Sequence, residues 1–211
     1  MIFRSESDLR NHPARSAFLS KHHAIFSNLI CAGGVAFVVA TAVMGFSTGS
    51  LDLCCLATIA IIVAIIVTYP LKLLPGSKAL KSIPGVKLLQ IGGCTALLVI
   101  LIAQAGGVEV TSRVMQLALA LGCFNASTGN LRDVRDDIEG DKHDGIKTLA
   151  VLLGPRLAWA LSVTLSLTSV ALLLSLQSSG ASVTAAFWVY MALTWSFAMG
   201  IHPVPADHVA G

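Results

Sequence analysis

Twelve consecutive positions, Asp133 to Asp144, hold six of the chain's eleven acidic side chains: Asp133, Asp136, Asp137, Glu139, Asp141 and Asp144. On a continuous α-helix, where each residue turns about 100°, Asp133, Asp137, Asp141 and Asp144 fall within an arc of roughly 80°. Like charges four apart repel by roughly 0.2–0.5 kcal/mol per pair, and by more where water is scarce, so the pattern asks for a counter-charge. Mg²⁺ answers it, being held by one or two carboxylates together with waters and substrate phosphate oxygens. The competing explanation is a solvated acidic loop partly neutralised by Arg132, Arg135, Lys142 and Lys147. Carboxylates packed against the end of an apolar segment are costly unless used, which favours binding of a metal and a diphosphate.

A second segment has the opposite charge. Pro70 to Lys87 carries Lys72, Lys78, Lys81 and Lys87 and no acidic residue. Ordinary positive loading of a cytoplasmic loop gives the same composition. A diphosphate, however, needs direct Lys or Arg contacts as well as cation bridges, and the two loops together supply both.

The elements that must hold these loops are apolar. Of 211 residues, 55% are hydrophobic and only 12% charged, and the mean hydropathy is +0.80, whereas soluble domains carry about 25% charge. Disorder and a disulfide-stapled secreted module are excluded, and a formal net charge of +3 gives no footprint for nucleic acid. Six runs lack Asp, Glu, Lys and Arg: Ala24 to Phe46, Leu53 to Tyr69, Leu88 to Ala105, Val114 to Leu131, Leu157 to Leu176 and Val183 to Ile201. A membrane helix needs about 20 such residues, and strand alternation is missing, so the expectation is an all-α polytopic bundle of six transmembrane helices in one membrane domain over residues 1–211. The first run is too long, and too far from Met1, for a removable signal peptide.

Six spans put the N-terminal segment, the lysine loop and the acidic loop on one side. That side holds thirteen of the fourteen basic residues, and only Arg113 falls opposite. The positive-inside tendency places the aspartate-rich loop in the cytoplasm. Thr148 reads as a helix N-cap and Gly154-Pro155 as a stop, giving a short apolar helix at the interface before the fifth span. Cys31, Cys54, Cys55, Cys94 and Cys123 lie in or at the edges of the runs without zinc spacing and read as small core residues. Tyr69, Phe124, Trp159, Trp188, Tyr190 and Trp195 read as interface-belt or packing residues.

The string Asn130-Leu-Arg-Asp133-Val-Arg-Asp-Asp137-Ile-Glu-Gly-Asp141-Lys-His-Asp-Gly145-Ile-Lys-Thr148-Leu resembles the second aspartate-rich motif of the UbiA superfamily of intramembrane prenyltransferases. Tyr69-Pro-Leu-Lys72 with Lys81-Ser-Ile-Pro-Gly-Val-Lys87 is similar to that family's basic loop, and Asp8-Leu-Arg-Asn11-His-Pro-Ala-Arg15 to the tail of its first aspartate-rich motif. The family has nine helices. Four runs separate Asp8 from Asp133, so the six runs here correspond to helices three to eight, and counterparts of the first two helices and of the last are expected to be missing. Arg4 stands where the first motif would carry an acidic residue.

The resemblance implies that Asp137 and Asp141 are catalytic, that Asp133, Asp137, Asp141 and Asp8 bind Mg²⁺, and that Lys72, Asn11, Arg15 and Lys147 contact the diphosphate. It implies a polyprenyl diphosphate donor and a small lipophilic acceptor within the bilayer. Two other readings compete. Gly129-x3-Asp133-x3-Asp137 matches the end of the phosphatidyl alcohol transferase motif, whose Asp-Gly-x2-Ala-Arg start is absent upstream, where Leu119-Ala120-Leu121 stand. A cation-transport or scaffold protein would need charged or polar residues at mid-membrane, and these are scarce, whereas a non-catalytic membrane fragment would have the same sequence features.

Overall fold

A computed structural model of the chain describes residues 17–18, 20–68, 83–143, 147–179 and 185–199. Each of the six uncharged runs coincides with a helix: α1 (His23–Thr48), α2 (Leu53–Thr68), α3 (Val86–Ala105), α4 (Ser112–Arg132), α6 (Leu149–Ser178) and α7 (Ala185–Ala198). Between α4 and α6 lie one π-helical turn, Asp133–Asp137, and the short helix α5 (Ile138–His143). The described residues contain no strand. α3 and α6 are long and apolar enough to cross a membrane on their own, whereas α2 and the segment Ala32–Thr48 of α1 are shorter apolar helices. Much of the apolar surface faces outward: Leu53 is 81% and Phe46 78% exposed, which water would penalise and lipid tails would not.

α4 is the centre of the bundle, packed against α3 on one flank and α6 on the other. Its sequence suits that place, because Gly122, Ala126, Ser127 and Asn130 are small or polar residues that lipid would not stabilise, and all are buried. On the α3 flank, a Cβ added to Gly122 would lie 2.8 Å from the Gly92 carbonyl oxygen, and one added to Gly92 would lie 2.9 Å from that of Gly122. Gly92-x3-Ala96 and Gly122-x3-Ala126 thus form a small-residue contact that lets the two backbones touch. On the α6 flank the contact is polar. Trp195 Nε1 donates to Ser166 Oγ at 2.9 Å, the Ser166 and Ser127 hydroxyls are 2.7 Å apart, and Ser127 Oγ donates to the Ser162 carbonyl at 2.7 Å. Ser127 has one hydroxyl proton, already given to Ser162, so Ser166 donates to Ser127. Asn130 Nδ2 donates to the Ala158 carbonyl at 2.7 Å and to Ser162 Oγ at 2.8 Å.

Apolar clusters flank this core. Phe124, Leu173, Leu176 and Met191 join α4, α6 and α7, and Cys55, Ile62, Leu101 and Ala105 join α2 and α3. Of the cysteines read as core residues, Cys55 is buried, Cys94 and Cys123 are half-buried and Cys54 is exposed. Cys54 and Cys55 are successive helical residues and so face different directions.

The short helix expected after Thr148 is present. Thr148 is the N-cap of α6, its side chain accepting from Val151 N. Gly154 then turns out of helical geometry at φ 75°, ψ 165° before Pro155, a conformation that a side chain would strain. Helix ends pair in two sets, as alternating directions require. At one end, Thr48 and Ser50 donate to the Ala105 carbonyl and Arg113 donates to the Ser179 carbonyl. At the other end, Lys87, Asp133, Thr148 and Leu149 line one crevice.

Candidate active site

The aspartates leave α4 through the π-turn, which corrects the uninterrupted α-helical ladder expected from their spacing. A π-turn carries an extra residue relative to an α-turn and is common at functional sites. Arg135 fixes the turn from outside by donating to the Ala198 carbonyl at 3.1 Å, at the electronegative C-terminal end of α7. The helix that continues, α5, packs Ile138 against Ala150 and Ala158 of α6. Asp133 and Asp141 are thereby buried and Asp137 half-buried, while Glu139 is solvated. Asp144 lies outside the described residues.

Lys87, on the first turn of α3, meets these carboxylates. Its Nζ lies 2.5 Å from Asp133 Oδ1 and 3.8 Å from Asp137 Oδ2. Beyond the end of α4, burial raises the Asp133 carboxyl from its ordinary 3.8 to about 6; the Lys87 ammonium pulls the other way, and the Asp137 and Asp141 charges add to the rise. Three aspartates therefore share one electrostatic neighbourhood. Around Asp133 runs a narrow crevice lined by Ile83, Gly85, Lys87, Asn130, Thr148 and Leu149 among others.

Of the residues singled out in the sequence, Asp133 and Asp137 come together on Lys87, and Asp141 lies buried close enough to act on Asp133. Lys147 is exposed, next to crevice-lining Thr148. Asp8, Asn11, Arg15 and Lys72 lie outside the described residues. The sequence alone places Lys87 among the lysines of the basic loop, and the resemblance assigns the diphosphate contact to Lys72, Asn11, Arg15 and Lys147 instead. The available signal was position, since Lys87 is the member of the set nearest to the third apolar run. No sequence motif announces the Ser127, Asn130, Ser162, Ser166 and Trp195 network, and Trp195, a belt or packing residue by its sequence position, has a specific hydrogen-bond partner.

The donor set fits Mg²⁺ under one condition. Among the described residues no three His, Cys, Asp or Glu side chains converge closely enough to hold a metal ion. Carboxylates beside a lysine suit a cation whose remaining ligands are water and phosphate oxygens, the usual Mg²⁺ arrangement. The profile of the UbiA prenyltransferase family matches residues 11–206. The chain belongs to the UbiA prenyltransferase family. Its helical bundle is therefore that of an integral membrane protein, and its family chemistry is intramembrane prenyl transfer. The aspartate spacing is accordingly that of a UbiA protein rather than of a phosphatidyl alcohol transferase. No curated protein and no solved structure matches the chain.

Proposed function

We propose that this UbiA protein transfers an isoprenyl group from a polyprenyl diphosphate to a small lipophilic acceptor, with the diphosphate held at the end of the bundle where α3, the π-turn and α6 meet. The observation that carries the reading is the Lys87 ammonium against Asp133 and Asp137, in a chain of a prenyltransferase family. Asp133, Asp137 and Asp141 would supply one or two carboxylates at a time to Mg²⁺, whose remaining ligands would be diphosphate oxygens and water, with Asp8 as an opposing ligand. Lys72, Asn11, Arg15 and Lys147 would contact the diphosphate oxygens. Bound there, Mg²⁺ supplies charge that stabilises the departing pyrophosphate.

The chain's own groups do the rest. The allylic C–O bond breaks with its electron pair leaving on pyrophosphate, and positive charge next to that oxygen favours the departure. The resulting allylic cation is attacked by an electron pair of the acceptor, which forms the new bond and releases a proton. The apolar helices keep water, a competing nucleophile, away from the cation. Six membrane passes, with this end in the cytoplasm, agree with Lys87, Arg132, Arg135, Lys142, Lys147 and Arg156 lying towards the crevice end and Arg113 at the other.

Binding of geranylgeranyl diphosphate to the detergent-solubilised chain tests the proposal. Binding should require Mg²⁺ and should be lost in Asp137→Asn and in Asp141→Asn. Equal binding in the presence of a chelator, or in both variants, removes the prenyltransferase reading. Metal flux into liposomes without any diphosphate would instead signal transport.

A further inference from the structure

Lys87 and the two aspartates differ in how firmly they are held. The Asp133 side chain is 9% exposed and rooted in the π-turn, whereas the Lys87 side chain is 34% exposed and ends a flexible four-carbon stem. If the pair separates, the ammonium is the partner that moves. With the ammonium against them, Asp133 and Asp137 are a weaker trap for a divalent cation than without it, and any cation bound there sits beside a like charge.

A diphosphate changes this balance, because its oxygens can accept the hydrogen bonds that Lys87 gives up when it leaves Asp133. The exchange is local. The first turn of α3, with Gly85, Lys87 and Leu88, lines the same crevice as Asp133, and the electropositive start of a 20-residue helix favours an anion there. Lys87 can thus pass from carboxylate to phosphate oxygen without becoming a buried unpaired charge.

We propose that Lys87 is a specificity-determining residue: it occupies the Asp133 and Asp137 carboxylates, keeps bare Mg²⁺ off them, and releases them when a diphosphate takes its ammonium. The inference rests on the diphosphate-binding reading above and deepens it, since it makes metal binding conditional on substrate.

The test is calorimetric titration of the full chain in detergent, first with Mg²⁺ alone and then with inorganic pyrophosphate in the presence of Mg²⁺. Lys87→Met should bind Mg²⁺ alone about tenfold more tightly than wild type and Mg²⁺–pyrophosphate about tenfold more weakly. Lys87→Arg, which keeps the cation, should stay close to wild type in both. Unchanged affinity for Mg²⁺ alone in Lys87→Met, with pyrophosphate still bound by wild type, overturns this inference and leaves the functional reading standing. No Mg²⁺-dependent pyrophosphate binding by wild type overturns both. Should Lys87→Met fail to fold, acylation of Lys87 in wild type, followed by peptide mass spectrometry, decides the matter. Mg²⁺ with pyrophosphate should slow the modification several-fold relative to Mg²⁺ alone, and equal rates overturn the inference.

Discussion

The two flanks of α4 are held by different physics. Against α3 the contact is a matter of volume, Gly92 and Gly122 letting two backbones meet where no side chain fits. Against α6 it is a matter of hydrogen bonds, with Asn130 and Ser127 reaching backbone carbonyls and hydroxyls of the neighbouring helix. The glycine contact buries no large apolar side chain, and the Phe124, Leu173 and Leu176 cluster beside the polar contact gains little by leaving lipid for protein. The comparison teaches that α4 is fixed sterically on the side of Lys87 and directionally on the other. Asp133, which leaves the end of α4 between the two, inherits its position from both.

Substitutions should separate the two mechanisms. Gly122→Leu drives a branched side chain into the Gly92 backbone, which cannot yield as a flexible side chain would; a loss of about 3 kcal/mol or more is expected, seen as a large fall in thermal midpoint in detergent. Toleration of that leucine would mean that the α3 flank is not limited by volume. On the other flank, Asn130→Leu removes two hydrogen bonds to α6 and leaves the Ser162 hydroxyl and the Ala158 carbonyl with each other, at a cost of about 2 kcal/mol by the same measurement.

Protonation sharpens the comparison at the point where the flanks meet. The Asp133 carboxyl, raised to about 6 by burial, holds its proton more firmly folded than unfolded. Its contribution to stability is therefore full below the ordinary value of 3.8 and is lost as pH rises through about 6. Mg²⁺, which needs the carboxylate, follows the opposite trend: its affinity, in the presence of pyrophosphate, should weaken about tenfold for each pH unit below about 6. Titrations at pH 5 and 7 check this, and equal affinities would remove Asp133 from the metal site.

The smallest effects compare two buried serines. Ser127→Ala breaks the chain from Trp195 to Ser162 and should lower stability by about 1 kcal/mol. Ser169 on α6 is fully buried, but its hydroxyl has no hydrogen-bond partner among the described residues. Ser169→Ala should therefore be neutral or slightly stabilising, and a cost equal to that of Ser127→Ala would show that the polar flank extends further along α6.

Legibility in the sequence followed the range of the interactions. Apart from the start of α6, which lies at Leu149 rather than at Leu157, the uncharged runs predicted the six long helices to within a few residues at the ends that can be compared, because a run without charge or breaker is a local property. Thr148 and Gly154-Pro155 were legible for the same reason, a cap and a break each being decided within one helical turn. The aspartates were legible as a pattern but not as a geometry. Whether Asp133 to Asp137 continues the α-helix or widens to a π-turn depends on what α5 and Arg135 find on α6 and α7, and nothing within the motif states it. Lys87 was visible only as one basic residue of four.

By itself, then, the sequence determined that the chain folds as apolar helices carrying an acidic loop after the fourth run, since hydropathy, charge and capping act between residues a turn or two apart. Tertiary structure alone decided that α4 is central, that Lys87 meets Asp133 across 46 positions of sequence, and that Asn130 turns its amide to α6 rather than to solvent. Those contacts follow from how close two helices can approach, which Gly92 and Gly122 set jointly and neither sets alone.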